Sequence, residues 1–222
     1  AHSITLTDGG GGGGALRRAM TPWRVCAGAR AWVHDALSRR RLERDFQASA
    51  DPWVYEKSEY ERTRLDALAG MVADRRYGEA LEIGCAEGLF TERMAPFCDR
   101  ITAVECALTA RARTEARLRR LPEGRVTVHL GNIRSWMPPA GTRFDLIVAS
   151  DVLYYLETNG GHRLQHEPEF GPFLERMAGW LASSGRMLVS HGFVGEEERR
   201  ARVAYRERLE QAGLRLEREV EV

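Results

Sequence analysis

From residue 77 onward, short apolar runs alternate with longer stretches that carry an apolar side at helical spacing. The runs at 79–84, 100–105, 126–131, 144–150, 185–191 and 214–222 read as strands. The stretches near 88–96, 107–120, 169–182 and 195–212 read as helices. Such alternation predicts an α/β fold, a mostly parallel sheet doubly wound by helices on both faces. Upstream, residues 58–73 show helical periodicity, with Leu65, Leu68 and Met71 on one side. Residues 15–46 are arginine-rich and helical in pattern. Trp23, Ala27, Ala31 and Val33 give them an apolar side, and Thr21-Pro22 offers a helix start. Asp51-Pro52 marks a turn. The pattern therefore divides the chain into a flexible Gly-rich tail (1–14), an N-terminal helical cap (15–76) and the α/β domain (77–222). No strand is expected before the glycine run that closes the tail. The last strand, L-R-L-E-R-E-V-E-V, reaches the final residue. A seven-stranded sheet would then want one strand more, so either the chain stops early or the sheet is short by one edge.

Composition narrows the function classes. The 222 residues suffice for one domain with its own core, and the net charge of +1 argues against a dedicated nucleic-acid or membrane binder. No apolar run approaches the roughly 20 residues of a membrane span, and no signal-peptide core opens the chain. Cys26, Cys85, Cys98 and Cys106 form no C-x-x-C pair, so zinc is not expected, and they read as reduced thiols of a cytoplasmic protein. Lys57 is the only lysine. Arginine in its place elsewhere, with abundant alanine, reads as the codon usage of a GC-rich genome. The arginines of residues 15–46 read either as a solvated helix face or as a contact for an acidic partner.

The candidate chemistry begins at L-E-I-G-C-A-E-G-L-F-T, Leu81 to Thr91, a strand, a glycine turn and a helix start. A dinucleotide turn wants G-x-G-x-x-G or G-x-G-x-x-A, but Gly84, Ala86 and Leu89 occupy those places and only the first matches. The strand I-T-A-V-E ends in Glu105, roughly 20 residues beyond the turn, where such folds set an acid on ribose hydroxyls. The next two strands end at Gly131-Asn132 and at Ser150-Asp151. All four signals fall at carboxyl ends of parallel strands, where open α/β sheets bind ligands.

This succession resembles the class I methyltransferases that use S-adenosylmethionine. E-x-G-x-x-x-G (Glu82, Gly84, Gly88) is similar to their first motif, F-D-L-I-V-A-S-D to their fourth, and S-S-G-R-M-L-V-S to their post-core strand. With D-P-W-V-Y-E-K-S-E-Y-E-R and S-D-V-L-Y-Y-L, the chain resembles more narrowly the nodulation protein S group. Those are small N-methyltransferases acting on an amino group of an aminated sugar, and they usually carry Glu where this chain has Asp151. The resemblance implies S-adenosylmethionine as cofactor, with S-adenosylhomocysteine as its product. It implies that Glu82, Gly84, Cys85, Ala86 and Gly88 frame the methionine part. Glu105 and Cys106 would flank the ribose and adenine, Asn132 and Ile133 would hold the adenine, and Ser150 would close the floor. Trp53, Tyr55, Tyr60 and Arg64 lie in the segment that caps the cofactor, and an arginine there would pair with the methionine carboxylate.

An alkylammonium has no lone pair, so an amine acceptor must lose a proton before it takes a methyl. Asp151 is the first candidate to bind and deprotonate it. Tyr154 and Tyr155 offer hydroxyls for sugar oxygens, one of them being expected in the core. His191 is the alternative base and would suit a small-molecule O-methyltransferase. A further alternative is a non-catalytic binder of the cofactor. His162 and His166 have the i, i+4 spacing of a helical metal pair, but no third ligand follows, and a mobile loop over the pocket is the preferred reading of 157–170. The expected acceptor is a small amino sugar or aminoglycoside-type amine, used in antibiotic metabolism. Neither nucleic acid nor membrane is expected as a partner.

Overall fold

A computed structural model of the chain describes residues 2–8, 22–156, 170–193 and 195–221. Seven strands form one sheet: β1 (His2–Asp8), β2 (Tyr77–Ile83), β3 (Cys98–Glu105), β4 (Val126–Leu130), β5 (Phe144–Ser150), β6 (Leu181–His191) and β7 (Leu214–Glu221). Their order is β4-β3-β2-β5-β6-β1-β7. The helices are α1 (Pro22–Ala48), α2 (Glu59–Gly70), α3 (Leu89–Met94), α4 (Leu108–Leu118), α5 (Phe170–Ala178) and α6 (Gly195–Gln211). Two 3₁₀ turns follow α3 and β5, at Ala95–Phe97 and Leu153–Leu156.

The strands are legible because the sheet is buried on both faces. Leu81, Ile83, Ile147, Ala149, Met187 and Val189 point to one face, where α5 and α6 bring Phe173, Leu174, Met177, Tyr205 and Leu209. Ala80, Leu146, Val148 and Leu188 alternate with them and meet Leu65 and Leu68 of α2 and Phe90 and Met94 of α3 on the other face. Period-two alternation thus fills two cores with one set of strands. β2, β3, β4, β5 and β6 run parallel.

Two expectations about strands need correction. Residues 1–14 were expected to be a flexible tail with no strand, but His2–Asp8 is β1, hydrogen-bonded on both sides. It runs antiparallel to β6 and antiparallel to β7. Ile4 and Leu6 enter the α5–α6 core, and Ser3 and Thr5 are buried as well. Among the described residues the sheet thus has seven strands, the additional one preceding the helical cap. A stretch as short as H-S-I-T-L-T-D has too few periods to stand out next to six glycines. β6 also begins earlier than expected, at Leu181. Its pairing with β5 skips between Phe144↔Leu181 and Leu146↔Arg186, so S-S-G reads as a turn although it lies within the strand.

Pro22 opens α1 as its fixed φ allows. The side chains of Trp23, Ala27, Ala31 and Val33 lie outside the described residues, as do Cys26's side chain and the whole of 157–169 with His162 and His166. Among the described residues, no three His, Cys, Asp or Glu side chains gather as a metal site. No described helix is long and apolar enough to cross a membrane.

Candidate active site

A cleft partly open to solvent lies over the carboxyl ends of β2, β3, β4 and β5, where open α/β sheets bind ligands. Its floor is the turn after β2. Gly84 stands at φ +74, and a Cβ there would lie 2.5 Å from a Val152 methyl. The bared backbone is thus required by packing as well as by conformation. Ala86 takes φ +48 without being glycine, an unfavourable left-handed geometry for a side chain. Gly88, at φ +77, starts α3 and presses on Thr114.

Glu105 ends β3 with its carboxylate buried and turned back on this turn. Oε2 accepts the Ala86 N–H at 3.0 Å; Oε1 accepts those of Cys106 at 2.7 Å and Ala107 at 2.9 Å. Burial raises its pKa, and the three N–H donors oppose that. Oε1 is fully engaged, so Oε2 is the oxygen with capacity left for a ligand hydroxyl. Glu82 does not line the cleft. It is buried beneath the turn, takes the Thr91 hydroxyl at 2.5 Å, and is pushed up to about 7 by burial. Asn132 lines the cleft, but its Oδ1 already accepts the Arg134 N–H at 2.7 Å. Ile133, Cys106 and Ser150 line it too.

The Asp51 turn carries two rings into the cleft. Asp51 is buried, and its two oxygens accept the N–H groups of Tyr55 (2.7 Å) and Glu56 (3.1 Å). This clamp bends the chain at Val54, whose φ of 53 is an outlier for a β-branched residue. Trp53 and Tyr55 point into the cleft. Tyr60 is exposed on α2 and is not among the lining residues. Ser58 caps α2 by accepting the Glu61 N–H at 3.3 Å.

Asp151 sits at φ +49, a geometry that Asp tolerates better than most. Its N–H donates to Ser190 O, and its Oδ1 accepts the Gly192 N–H at 2.7 Å. Arg64 Nη1 stands 2.6 Å from Asp151 Oδ2, an ion pair without hydrogen-bond alignment, while its Nε donates to Glu61 at 2.9 Å. Arg64 is thus engaged by two carboxylates and does not itself line the cleft. Tyr154 and Tyr155 both line it, although adjacent residues were not expected to share one cleft, and Tyr155 also packs against the hydrophobic core. The 3₁₀ turn explains this: with three residues per turn, Leu153 and Leu156 share the buried side, leaving the two tyrosines on the others. His191 is buried edge-on against Tyr205, ring centroids 4.6 Å apart, and is not among the lining residues. Cys85 is buried below the turn.

Sequence reasoning passed over the roof. Asp35, Ser38, Arg39, Leu42 and Phe46 of α1 line the cleft. The helix is tied down by Arg134–Asp35 (2.8 Å), by Thr109 Oγ1 on Glu43 (2.5 Å), and by Arg113. Arg113 donates to Phe46 O (2.7 Å), Ser49 O (2.8 Å) and Glu87 (2.8 Å). The signal was present in A-R-T and G-N-I-R, but an arginine on a helix face does not announce its partner.

The model for "Nodulation protein S (NodS)" matches residues 34–166. The chain belongs to the nodulation protein S family. A family protein from Sinorhizobium fredii is 32% identical over 144 residues, covering 64% of this chain and 60% of its own length. One from Bradyrhizobium diazoefficiens is 40% identical over 120 residues, covering 52% and 53%. The chain thus spans between half and two thirds of these curated relatives. Among solved structures, the N-methyltransferase NodS from Bradyrhizobium japonicum WM9 with S-adenosyl-L-homocysteine matches at 30% identity. Its TM-score is 0.59, covering 68% of this chain and 70% of that one. A DhpI–SAM–HEP complex matches at 19% identity with TM-score 0.55, a likeness of fold. The fold is the class I methyltransferase fold, and the matched family segment contains α2, the glycine turn, Glu105, Asn132 and Asp151.

Proposed function

We propose that the chain is an S-adenosylmethionine-dependent N-methyltransferase whose acceptor is the amino group of a small amino sugar. The observation that carries this reading is the meeting of Gly84, Glu105 and the Asp151 carboxylate on one cleft. The residues fit the cofactor: the Gly84–Gly88 turn offers bare backbone, Glu105 Oε2 a hydroxyl acceptor, and Asn132 and Ile133 an adenine wall. Trp53 and Tyr55 cover it. When bound, the cofactor supplies a methyl group already activated for attack, so positioning the acceptor supplies much of the rate.

Asp151 favours a cationic acceptor, binding the ammonium and holding it until its proton passes to the carboxylate or to water. Tyr154 orients sugar oxygens. The O-methyl alternative with His191 as base has less support, since that ring packs on Tyr205 away from the lining. An amino sugar of the aminoglycoside type, in antibiotic metabolism, remains the specific acceptor proposed.

Calorimetric titration with S-adenosylhomocysteine and with NAD, on wild type and Glu105→Ala, tests the cofactor. Binding of the first alone, weakened in the variant, is expected. A panel of amino sugars then tests the acceptor by mass gain of one methyl, and failure across the panel would remove that part of the reading.

A further inference from the structure

Much of the cleft wall is aromatic. Trp53 and Tyr55 come from the Asp51 turn, with ring centroids 6.1 Å apart; Phe46 of α1 backs Trp53 edge-on at 4.8 Å. Tyr154 and Tyr155 come from the turn after β5, with centroids 4.6 Å apart. All four rings of the two turns line the same cleft as Asp151. They come from segments about a hundred residues apart, so their convergence is a property of the fold and not of local sequence.

Asp151 belongs to an ion group that extends away from the cleft. Glu61, Arg64 and Asp151 form one linked group of two carboxylates and one guanidinium, formally one negative charge in total. Arg64, outside the lining, has its Cζ 5.8 Å from the Tyr55 ring centroid, so that ring already faces one cation. Burial and then the Asp151 charge raise the Tyr55 phenol; burial, Tyr155 and Asp151 raise that of Tyr154. Both stay neutral, presenting ring faces and hydroxyl dipoles, not negative charge.

A primary ammonium has three N–H groups to satisfy, and carboxylates serve it best. Each methyl added removes one N–H and adds apolar surface while the charge remains. A wall of rings beside the Asp151 carboxylate suits the alkylated form. Resting on the N-methyltransferase reading, we propose that Trp53, Tyr55, Tyr154 and Tyr155, with Asp151, form a subsite for an alkylated ammonium group. The amine is held there after it has gained a methyl as well as before.

Choline and its neutral carbon analogue 3,3-dimethyl-1-butanol probe this directly, titrated calorimetrically at fixed ionic strength with and without S-adenosylhomocysteine. Choline should bind the wild type about tenfold more tightly than the analogue. Tyr154→Leu should lose most of that preference and Tyr154→Phe should keep it. Asp151→Asn, whose asparagine tolerates the same positive φ, should weaken choline while S-adenosylhomocysteine binding attests the fold. Equal binding of choline and the analogue, or full choline affinity in Tyr154→Leu, would overturn the subsite. Loss of S-adenosylhomocysteine binding in the wild type would instead strike the cofactor reading, because the choline preference is read without it.

Discussion

On the flank β4-β3-β2-β5, β2, β3 and β4 follow one another in sequence and β5 returns to the other side of β2, and the carboxyl ends of these strands carry the ligand chemistry. On the flank β6-β1-β7, the middle strand comes from the other end of the chain: Ser3 Oγ donates to Ser190 Oγ across 187 positions. Both flanks are equally well buried, with Leu6 and Leu81 fully inaccessible. Burial therefore does not distinguish them. The first flank spends conformational strain at Ala86 and Asp151 and keeps buried carboxylates, the pattern of a functional edge. The second holds β-rich, hydrogen-bonded pairing, and its outermost strand, β7, shows the alternating charges Arg215, Glu217, Arg218 and Glu219 that protect a sheet edge.

The largest expected effect breaks the second flank alone. Leu6→Ala should lower stability by about 2–5 kcal/mol in urea unfolding. S-adenosylhomocysteine affinity should stay within about twofold, as for distant, independent sites. A comparable loss of affinity would mean that the closing flank supports the cleft.

Next in size is a pH effect seated in the first flank. Glu82 has a folded pKa raised to about 7 from 4.5. Between those values the folded state binds more protons than the unfolded one, so stability falls as pH rises through that window and levels off above it. Glu105 shifts in the same direction. Glu82→Gln should flatten much of this slope, measured by denaturant unfolding across the window; an unchanged slope would assign it to other groups.

The smallest effect sharpens the contrast. Ala86→Gly removes the penalty of a side chain at φ +48 but frees the unfolded chain. The expected net gain is about 0.5–1 kcal/mol, read as a small rise in Tm. No gain would mean that the Glu105 contact to the Ala86 N–H already absorbs the strain.

These differences also explain what was legible in sequence. The parallel strands, their helices and the four ligand signals were readable because each is a local pattern: an apolar run, a glycine turn, an acid at a strand end. The strand at His2–Asp8 was missed because its meaning lies in partners at 186–191 and 214–221. In the site, Glu105 and Asp151 were readable from position alone. The engagement of Arg64 by Glu61 and Asp151 was not, since a helix arginine has several reachable acids. Nor was the roof from α1, because Asp35, Leu42 and Phe46 follow the same periodicity as any amphipathic helix. The pairing of Tyr154 and Tyr155 on one cleft depended on a 3₁₀ turn that L-Y-Y-L does not specify.

The position of β1 has a consequence for the order of assembly. β7 bonds to β1, and β1 bonds to β6, so the sheet's outer edge cannot form until both ends of the chain have met. During synthesis, His2–Asp8 leaves the ribosome before its partners at 186–191 and 214–221 exist. Contacts this distant slow folding, because loop closure precedes any return from pairing. The region from β2 to β5 can collapse first, around a glycine turn whose neighbours lie close in sequence. Closure of the sheet by β1 and β7 is then expected to be the late step.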